Sequence, residues 1–345
     1  MKALRYFGAG DIRCEAMDDP AIADERDAII KVDTCSICGS DLHIYHGHGY
    51  SEDVGFCVGH EAVGEVVEIG RGVRGLKPGD KVMISAAVGC GACPSCLAGD
   101  VIHCETQSGS CYGLSSKLQG SQAEAVRVPA ADFNARKLPE GFSAEQGLML
   151  TDALPTAWMA LKNAEIRPGT VVAVVGLGPI GLMAVEGALL LGASQVFAID
   201  LVASRRQVAE SLGATALDAA DAPDLIRELT HGRMCGAVIE AVGADATIEL
   251  ALRLAGRRGV VSCLGVNQTR RFAFPMARAF AHGLTFRTGT CSVPEHWPEL
   301  IPLVQAGRLK PQRFISHRMD LAQGEEAYRL LDSRADGVLK MVLTP

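Results

Sequence analysis

The sequence predicts an α/β protein of two units, one β-rich and one a doubly wound parallel sheet. Three observations carry this. The chain has 345 residues, more than one average domain and a good fit to two. Residues 1 to about 150 hold short β-like runs cut by Gly, Pro and Asp turns, with no dominant helical period. From about residue 165, strand-like and helix-like stretches alternate, the pattern of a parallel sheet covered by helices.

In the first unit, residues 28–32, 64–69 and 80–84 read as strands, with a turn around Pro78-Gly79. In the second, strands are expected over 171–175, 195–200, 237–242 and 259–263. Helices are expected over 180–191, 204–212 and near 246–253. The tail offers helices over 298–306 and 324–331, a turn at Pro311 and a last strand over 338–343, and is expected to rejoin the first unit.

Composition excludes several function classes. Lys+Arg number 33 against 40 Asp+Glu, a formal charge of −7. No basic block accompanies that balance, which argues against nucleic acid or an anionic membrane as partner. The first residues lack the apolar run of a secretory signal. The most apolar stretch, 171–193, is broken by Gly176, Gly178, Pro179, Gly181 and Glu186, as a strand, turn and helix would be. Twelve cysteines in such a chain point to metal binding rather than disulfides, and to a reducing cytoplasm.

Four of the twelve form C-x2-C-x2-C-x7-C: Cys90, Cys93, Cys96 and Cys104. Four thiolates on one lobe, about 89–105, can close a tetrahedron around zinc with no open position, as structural sites do. An iron–sulfur cluster also uses four cysteines and is the alternative metal reading.

The run Val171-Val-Ala-Val-Val-Gly176-Leu-Gly178-Pro179-Ile180-Gly181 is a strand entering G-x-G-x-x-G and then a helix. Gly176 makes the tight turn, Gly178 admits a pyrophosphate, and Gly181 lets helix and strand pack closely. Phosphates would face the helix N-terminus. Asp200 ends the next strand, where a carboxylate binds ribose hydroxyls and disfavours a 2′-phosphate, so NAD is expected over NADP. Arg205 and Arg206 stand nearby and could accommodate that phosphate. Val266 joins Gly176, Gly178, Pro179, Ile180, Gly181, Asp200 and Arg205 as a candidate dinucleotide contact.

The segments Cys38-Gly-Ser40-Asp41-Leu-His43 and Gly59-His60-Glu61, the four-cysteine knot and G-x-G-x-x-G together resemble the zinc-dependent medium-chain alcohol dehydrogenases, over essentially the whole chain. The resemblance implies a GroES-like catalytic domain over 1–152 and 290–345, interrupted by a Rossmann domain over 153–289. It implies two zinc ions per chain, NAD, and a homodimer or homotetramer. Cys38 and His60 match the first two catalytic zinc ligands. The stretch Leu150-Thr151-Asp152-Ala-Leu-Pro155-Thr is similar to the branch whose third ligand is aspartate, which selects Asp152; from the residues alone, Asp152 also reads as the cap of a helix starting near Pro155. Glu61 matches a glutamate that approaches the metal transiently. Asp41 matches the carboxylate that orients the ligating histidine. Ser40 and His43 match the proton relay, with a cofactor ribose hydroxyl between them.

The implied activity is reversible hydride transfer between NAD and a primary or secondary alcohol, with an aldehyde or ketone as product. Ala86 stands where better-known members carry a bulky aromatic, so a bulky alcohol is expected to fit. The motifs are also similar to glutathione-independent formaldehyde dehydrogenases or dismutases, and a polyol dehydrogenase is a further alternative. A zinc-free reductase and a non-enzymatic binding protein are the competitors outside this class. His46 and His48 read as an exposed loop. Cys14, Cys35, Cys57, Cys111, Cys235, Cys263 and Cys291 read as small buried apolar groups. Trp158, Tyr112 and Phe56 suit either a pocket or the core.

Overall fold

Short apolar runs separated by glycine turns give many strands rather than few long ones. The computed structural model describes residues 1–49, 51–107 and 110–345. Two units partition the chain, Met1–Pro155 with Cys291–Pro345, and Thr156–Thr290. The first 155 residues contribute β1 (Lys2–Gly8), β2 (Asp11–Ala16), β3 (Ala28–Ile37), β4 (Glu61–Ile69), β5 (Lys81–Ile84), β6 (Ala125–Val128) and β7 (Ala135–Lys137). The second unit holds β8 (Val171–Val175), β9 (Gln195–Ile199), β10 (Thr215–Leu217), β11 (Cys235–Glu240), β12 (Ala255–Cys263) and β13 (Thr285–Thr288). The tail adds β14 (Ile315–Asp320) and β15 (Lys340–Thr344).

In the first unit β1 and β2 form a hairpin, and a seven-stranded sheet runs β14-β15-β3-β4-β5-β7, with β6 also on β3. β3 is buried along most of its ten residues, as a strand flanked on both edges must be. The tail therefore enters the first unit's sheet, β15 lying antiparallel to β3. β3 and β4 run longer than their apolar cores suggest, and Ser36 pairs with Glu61. That register sets Cys38, just past β3, beside His60, just before β4.

The second unit is a six-stranded parallel sheet of order β10-β9-β8-β11-β12-β13. In chain order this is 3-2-1-4-5-6, whose switch point lies between β8 and β11, where such sheets bind dinucleotides. Its apolar core joins Ala173, Val175, Phe197, Ile199, Val238 and Val261.

Several elements depart from the sequence reading. β1, β2, β6, β7, β10, β13 and β14 lie outside the strands expected, three of them being six residues or longer but interrupted by polar residues. The helix expected over 298–306 starts earlier, spanning Val293–Gln305 with Pro298 and Pro302 inside it. Each proline removes one helical hydrogen bond, and the buried face of Val293, His296, Trp297, Leu300 and Val304 holds the helix regardless. Among the described residues, no helix is long and apolar enough to cross a membrane.

Candidate metal centres and dinucleotide loop

Cys38 follows the end of β3, His60 precedes β4, and Asp152 directly precedes the helix Ala153–Asn163. The structure brings all three together. Cys38 Sγ lies 3.6 Å from Asp152 Oδ2, and His60 Nε2 lies 3.5 Å from the same oxygen. Ligands about 2.0–2.3 Å from a tetrahedral zinc sit roughly 3.3–3.7 Å apart, so the donor set has the dimensions of one zinc site. Cys38 and His60 are buried and Asp152 is half-buried. Asp152 thus satisfies the helix-start position and still turns its carboxylate to the other two ligands.

The surroundings are anionic. His60 Nδ1 lies 3.2 Å from Asp41 Oδ1, within ion-pair reach though off hydrogen-bond alignment. Burial disfavours the imidazolium, yet Asp41, Cys111 and Asp152 outweigh it and hold the His60 pKa well above the usual histidine value. A field that pulls a proton onto this ring is one that a divalent cation would fit. Glu61 is fully buried; its Oε2 accepts from Ser36 Oγ at 2.5 Å and from the Lys340 ammonium. Its Oε1 is buried without a hydrogen-bond partner. An orphaned carboxylate oxygen beside a ligand histidine again fits a nearby cation.

Ser40 Oγ reaches to 3.5 Å from His60 Nε2. His43 is half-buried, and its backbone N–H donates to the Ser40 carbonyl at 3.1 Å. No side-chain hydrogen bond joins Ser40 to His43 among the described residues. Burial, with His46 and His48 nearby, lowers the His43 pKa. His46 is exposed and contacts Asp332 at 2.8 Å.

The four cysteines form a separate cluster whose sulfurs all lie within 4.8 Å of one another. Cys93 and Cys104 sulfurs are 3.9 Å apart, the edge of a tetrahedron with Zn–S of about 2.3 Å. An iron–sulfur cluster interposes several atoms between its cysteines, so the spacing suits one ion. Backbone N–H groups of Cys90 and Gln107 reach Cys104 Sγ at 3.3 Å, and those of Ala92 and Cys93 reach Cys90 Sγ. Burial raises the Cys104 thiol, but Thr106 and the backbone donors outweigh it and bring its pKa down to about 6. Burial pushes Cys96 up to about 12, so its thiol needs a metal to lose its proton at neutral pH.

In the second unit, Gly176 ends β8 at φ 91, and a Cβ there would sit 2.4 Å from Val242 Cγ2. A Cβ on Gly181 would fall 1.8 Å from the Gly176 carbonyl oxygen, so the helix Pro179–Leu190 can pack here only with glycine. A Cβ on Gly178 would meet no protein atom within 4 Å. That open flank, at the N-terminus of a helix begun by Pro179 and Ile180, is the cradle a pyrophosphate needs. Asp200 follows β9, accepting from Leu177 N at 2.7 Å and from Val202 N at 2.8 Å. Its carboxylate is therefore fixed beside the loop, with Arg205 3.9 Å away. Arg206 instead ties the backbone of Asp200 and Leu201 to Asp218. Val266 is half-buried in the loop after β12, at the same strand ends, and its carbonyl bars a Cβ at Gly243.

Of the remaining residues, Phe56 and Tyr112 lie in the first unit's core and Trp158 is buried. Ala86 is buried, and its N–H donates to the Thr151 carbonyl next to Asp152. Cys14 and Cys111 are only half-buried, unlike the other five cysteines grouped with them. Sequence reasoning missed Lys340, Ser36, Gln122 and Tyr328, all fully or almost fully buried around the ligand set. The lysine inside the apolar run 338–343 was the one available signal.

Family models and known proteins match the chain over nearly its whole length. Residues 24–140 match the family model for the alcohol dehydrogenase GroES-like domain, and residues 179–306 match that for zinc-binding dehydrogenase. A Mycobacterium tuberculosis protein of the zinc-binding alcohol dehydrogenase kind is 40% identical over 100% of this chain and 89% of its own. The alcohol dehydrogenase TADH of Thermus sp. ATN1 superposes with a TM-score of 0.94 at 38% identity, covering 100% of this chain and 99% of that one. A Sinorhizobium meliloti dehydrogenase solved with NADP bound gives a TM-score of 0.86 at 29% identity, covering 100% and 99%.

Proposed function

Because the chain belongs to the zinc-dependent medium-chain dehydrogenase family, among its zinc-type alcohol dehydrogenases, we propose that it transfers hydride reversibly between an alcohol and NAD. Cys38, His60 and Asp152 hold the catalytic zinc in this reading, and Cys90, Cys93, Cys96 and Cys104 a structural one. The convergence of Cys38 Sγ and His60 Nε2 on Asp152 Oδ2, at 3.6 and 3.5 Å, carries it. Bound there, zinc supplies Lewis acidity toward an alcohol or carbonyl oxygen, while the nicotinamide accepts or returns hydride.

The chain's own residues supply orientation and proton movement. Asp41 holds the His60 ring. Ser40, 3.5 Å from the ligating nitrogen, is placed to take the alcohol proton. His43, kept neutral by its lowered pKa, receives protons on their way to solvent. Gly178 and the first turn of helix Pro179–Leu190 bind pyrophosphate, and Asp200 accepts from ribose hydroxyls and repels a 2′-phosphate, which favours NAD. The relative solved with NADP makes this preference the finer part of the reading, with Arg205 the residue that could reverse it. Ala86 contributes only a methyl beside Thr151 and Asp152, so bulky alcohols are the expected substrates.

The test pairs zinc content with initial rates of NAD reduction across methanol, ethanol, secondary alcohols, polyols, bulky aromatic alcohols and formaldehyde. Two zinc ions per chain, one of them lost in Asp152→Asn together with turnover, is the expected outcome. Full activity in Asp152→Asn removes that residue from the site. Activity on formaldehyde alone replaces the alcohol reading with a formaldehyde-oxidising one.

A further inference from the structure

A chain of buried polar contacts leads away from His60 through Asp41 to two side chains that the proposed reaction leaves unused. Asp41 turns Oδ1 toward His60, while its Oδ2 accepts from Cys38 N at 2.9 Å and from Gln122 Nε2 at 3.2 Å. Gln122 Nε2 also donates to the Ser36 carbonyl at 3.0 Å. Gln122 Oε1 accepts from the Tyr328 hydroxyl at 2.9 Å. Gln122 and Tyr328 are both fully buried.

The polarity of this chain is set at Gln122, and the hydroxyl at its far end reinforces it. A glutamine amide has a donor end and an acceptor end. Asp41 and the Ser36 carbonyl both need the donor end, and the Tyr328 hydroxyl rewards that arrangement by donating to Oε1. Rotated by half a turn, the amide would point its oxygen at a carboxylate and a carbonyl inside a low-dielectric interior, where unpaired acceptors are costly.

A second observation concerns the backbone that carries His60. Gly59 has φ 88, and a Cβ there would lie 2.3 Å from Gln122 Cγ. The peptide entering His60 therefore rests directly on the Gln122 side chain. Ser121 N donates to the Gly59 carbonyl at 2.9 Å and fastens the same contact.

We propose that Gln122 and Tyr328 are positioning residues for the metal ligand His60: Tyr328 orients the Gln122 amide, Gln122 holds Asp41, and Asp41 holds the imidazole, so that Tyr328 governs how firmly the catalytic metal is retained. The proposal rests on the reading of Cys38, His60 and Asp152 as a zinc site. The bland account is that Tyr328 only fills the core, where its ring lies 5.6 Å from that of Tyr45. Packing alone would change general stability, whereas positioning changes one metal and spares the other.

The experiment follows zinc release from the full-length holoprotein to a large excess of a chromogenic zinc chelator, read by its colour change, for wild type, Tyr328→Phe, Gln122→Met and the double variant. Tyr328→Phe keeps the ring, and the four-cysteine zinc in the same molecule reports whether the fold is intact. Catalytic zinc should leave about tenfold faster in Tyr328→Phe, the low end for loss of an outer hydrogen-bond partner, while the four-cysteine zinc leaves at its wild-type rate. In the Gln122→Met background the tyrosine change should add nothing, because its route to His60 is already cut. Unchanged release in Tyr328→Phe, or equal acceleration of both zincs, overturns the proposal while two bound zincs keep the site reading standing. Should Gln122→Met fail to fold, Tyr328→Phe against its internal reference decides the matter. A wild-type chain holding only the four-cysteine zinc overturns the site reading and the proposal with it.

Discussion

Replacing Lys340 by methionine isolates the buried charge pair behind the proposed zinc ligands. Lys340 on β15 is 2% exposed and Glu61 on β4 is 0% exposed. The ammonium contacts Glu61 Oε2, which among the described residues otherwise has only the Ser36 hydroxyl, and Oε1 has no hydrogen-bond partner among them. Without Lys340, a carboxylate would be left inside the protein with one donor. Breaking a buried pair by removing one member costs about 3–5 kcal/mol. A unit of this size loses about 2–4 °C for each kcal/mol, so its Tm should fall by roughly 10 °C. Scanning calorimetry of the zinc-loaded protein measures this. Adding Glu61→Gln to Lys340→Met should recover most of the loss, since the uncompensated charge is gone. A Tm drop under about 2 °C, or a double variant no more stable than the single one, refutes the reasoning. The pH dependence has a definite sign. Burial pushes the Lys340 ammonium down, but Glu61, then Cys38 and Asp152, outweigh it and hold its pKa above the usual lysine value. The pair's stabilisation is therefore complete below the unfolded lysine pKa and is lost only as pH rises through the higher folded value.

Two further outcomes are expected. Asp200→Ser removes the carboxylate fixed beside the dinucleotide loop, and the NAD-to-NADP ratio of kcat/KM should fall by roughly a hundredfold, the scale of relieving a like-charge repulsion; an unchanged ratio removes Asp200 from cofactor choice. His43 must be neutral to take a proton, and burial lowers its pKa, so alcohol oxidation should hold at pH 7 and decline only as pH drops below the usual histidine value of about 6.5. His43→Gln should slow turnover by on the order of a hundredfold and erase that acid limb, and an acid limb identical to wild type would acquit His43 of the relay.

What could be read from the sequence is what is local. Cys90 to Cys104 and Gly176 to Gly181 declare themselves because each set folds within one short stretch, where spacing and geometry are nearly the same thing. Cys38 and His60 were identifiable from flanking residues, but their meeting depends on the Ser36–Glu61 register of β3 and β4, which no local pattern specifies. Asp152 needed the family resemblance, since a helix start explains an aspartate equally well. Gln122, Tyr328 and Lys340 were illegible for a plainer reason: Tyr328 meets Gln122 across 206 residues, and Lys340 meets Glu61 across 279. The strands that escaped notice, such as the three-residue β7 and four-residue β6, are too short to show a period. They exist because a neighbouring strand offers hydrogen bonds, not because their own residues demand extension.

The pairing of β15 with β3 sets an order of events during synthesis. The four cysteines are close in sequence, and the proposed structural site is complete as soon as residue 104 clears the ribosome. The other centre has its three ligands in hand by residue 152, yet the strand that seals β3 and delivers Lys340 to Glu61 emerges only after the whole second unit, Thr156–Thr290, has been made. In the proposed reading, a nascent chain halted before β15 would have its four-cysteine site complete but leave Glu61 without its counter-ion beside the other candidate ligands. Completion of the first unit's sheet is thereby postponed until the second unit has been made.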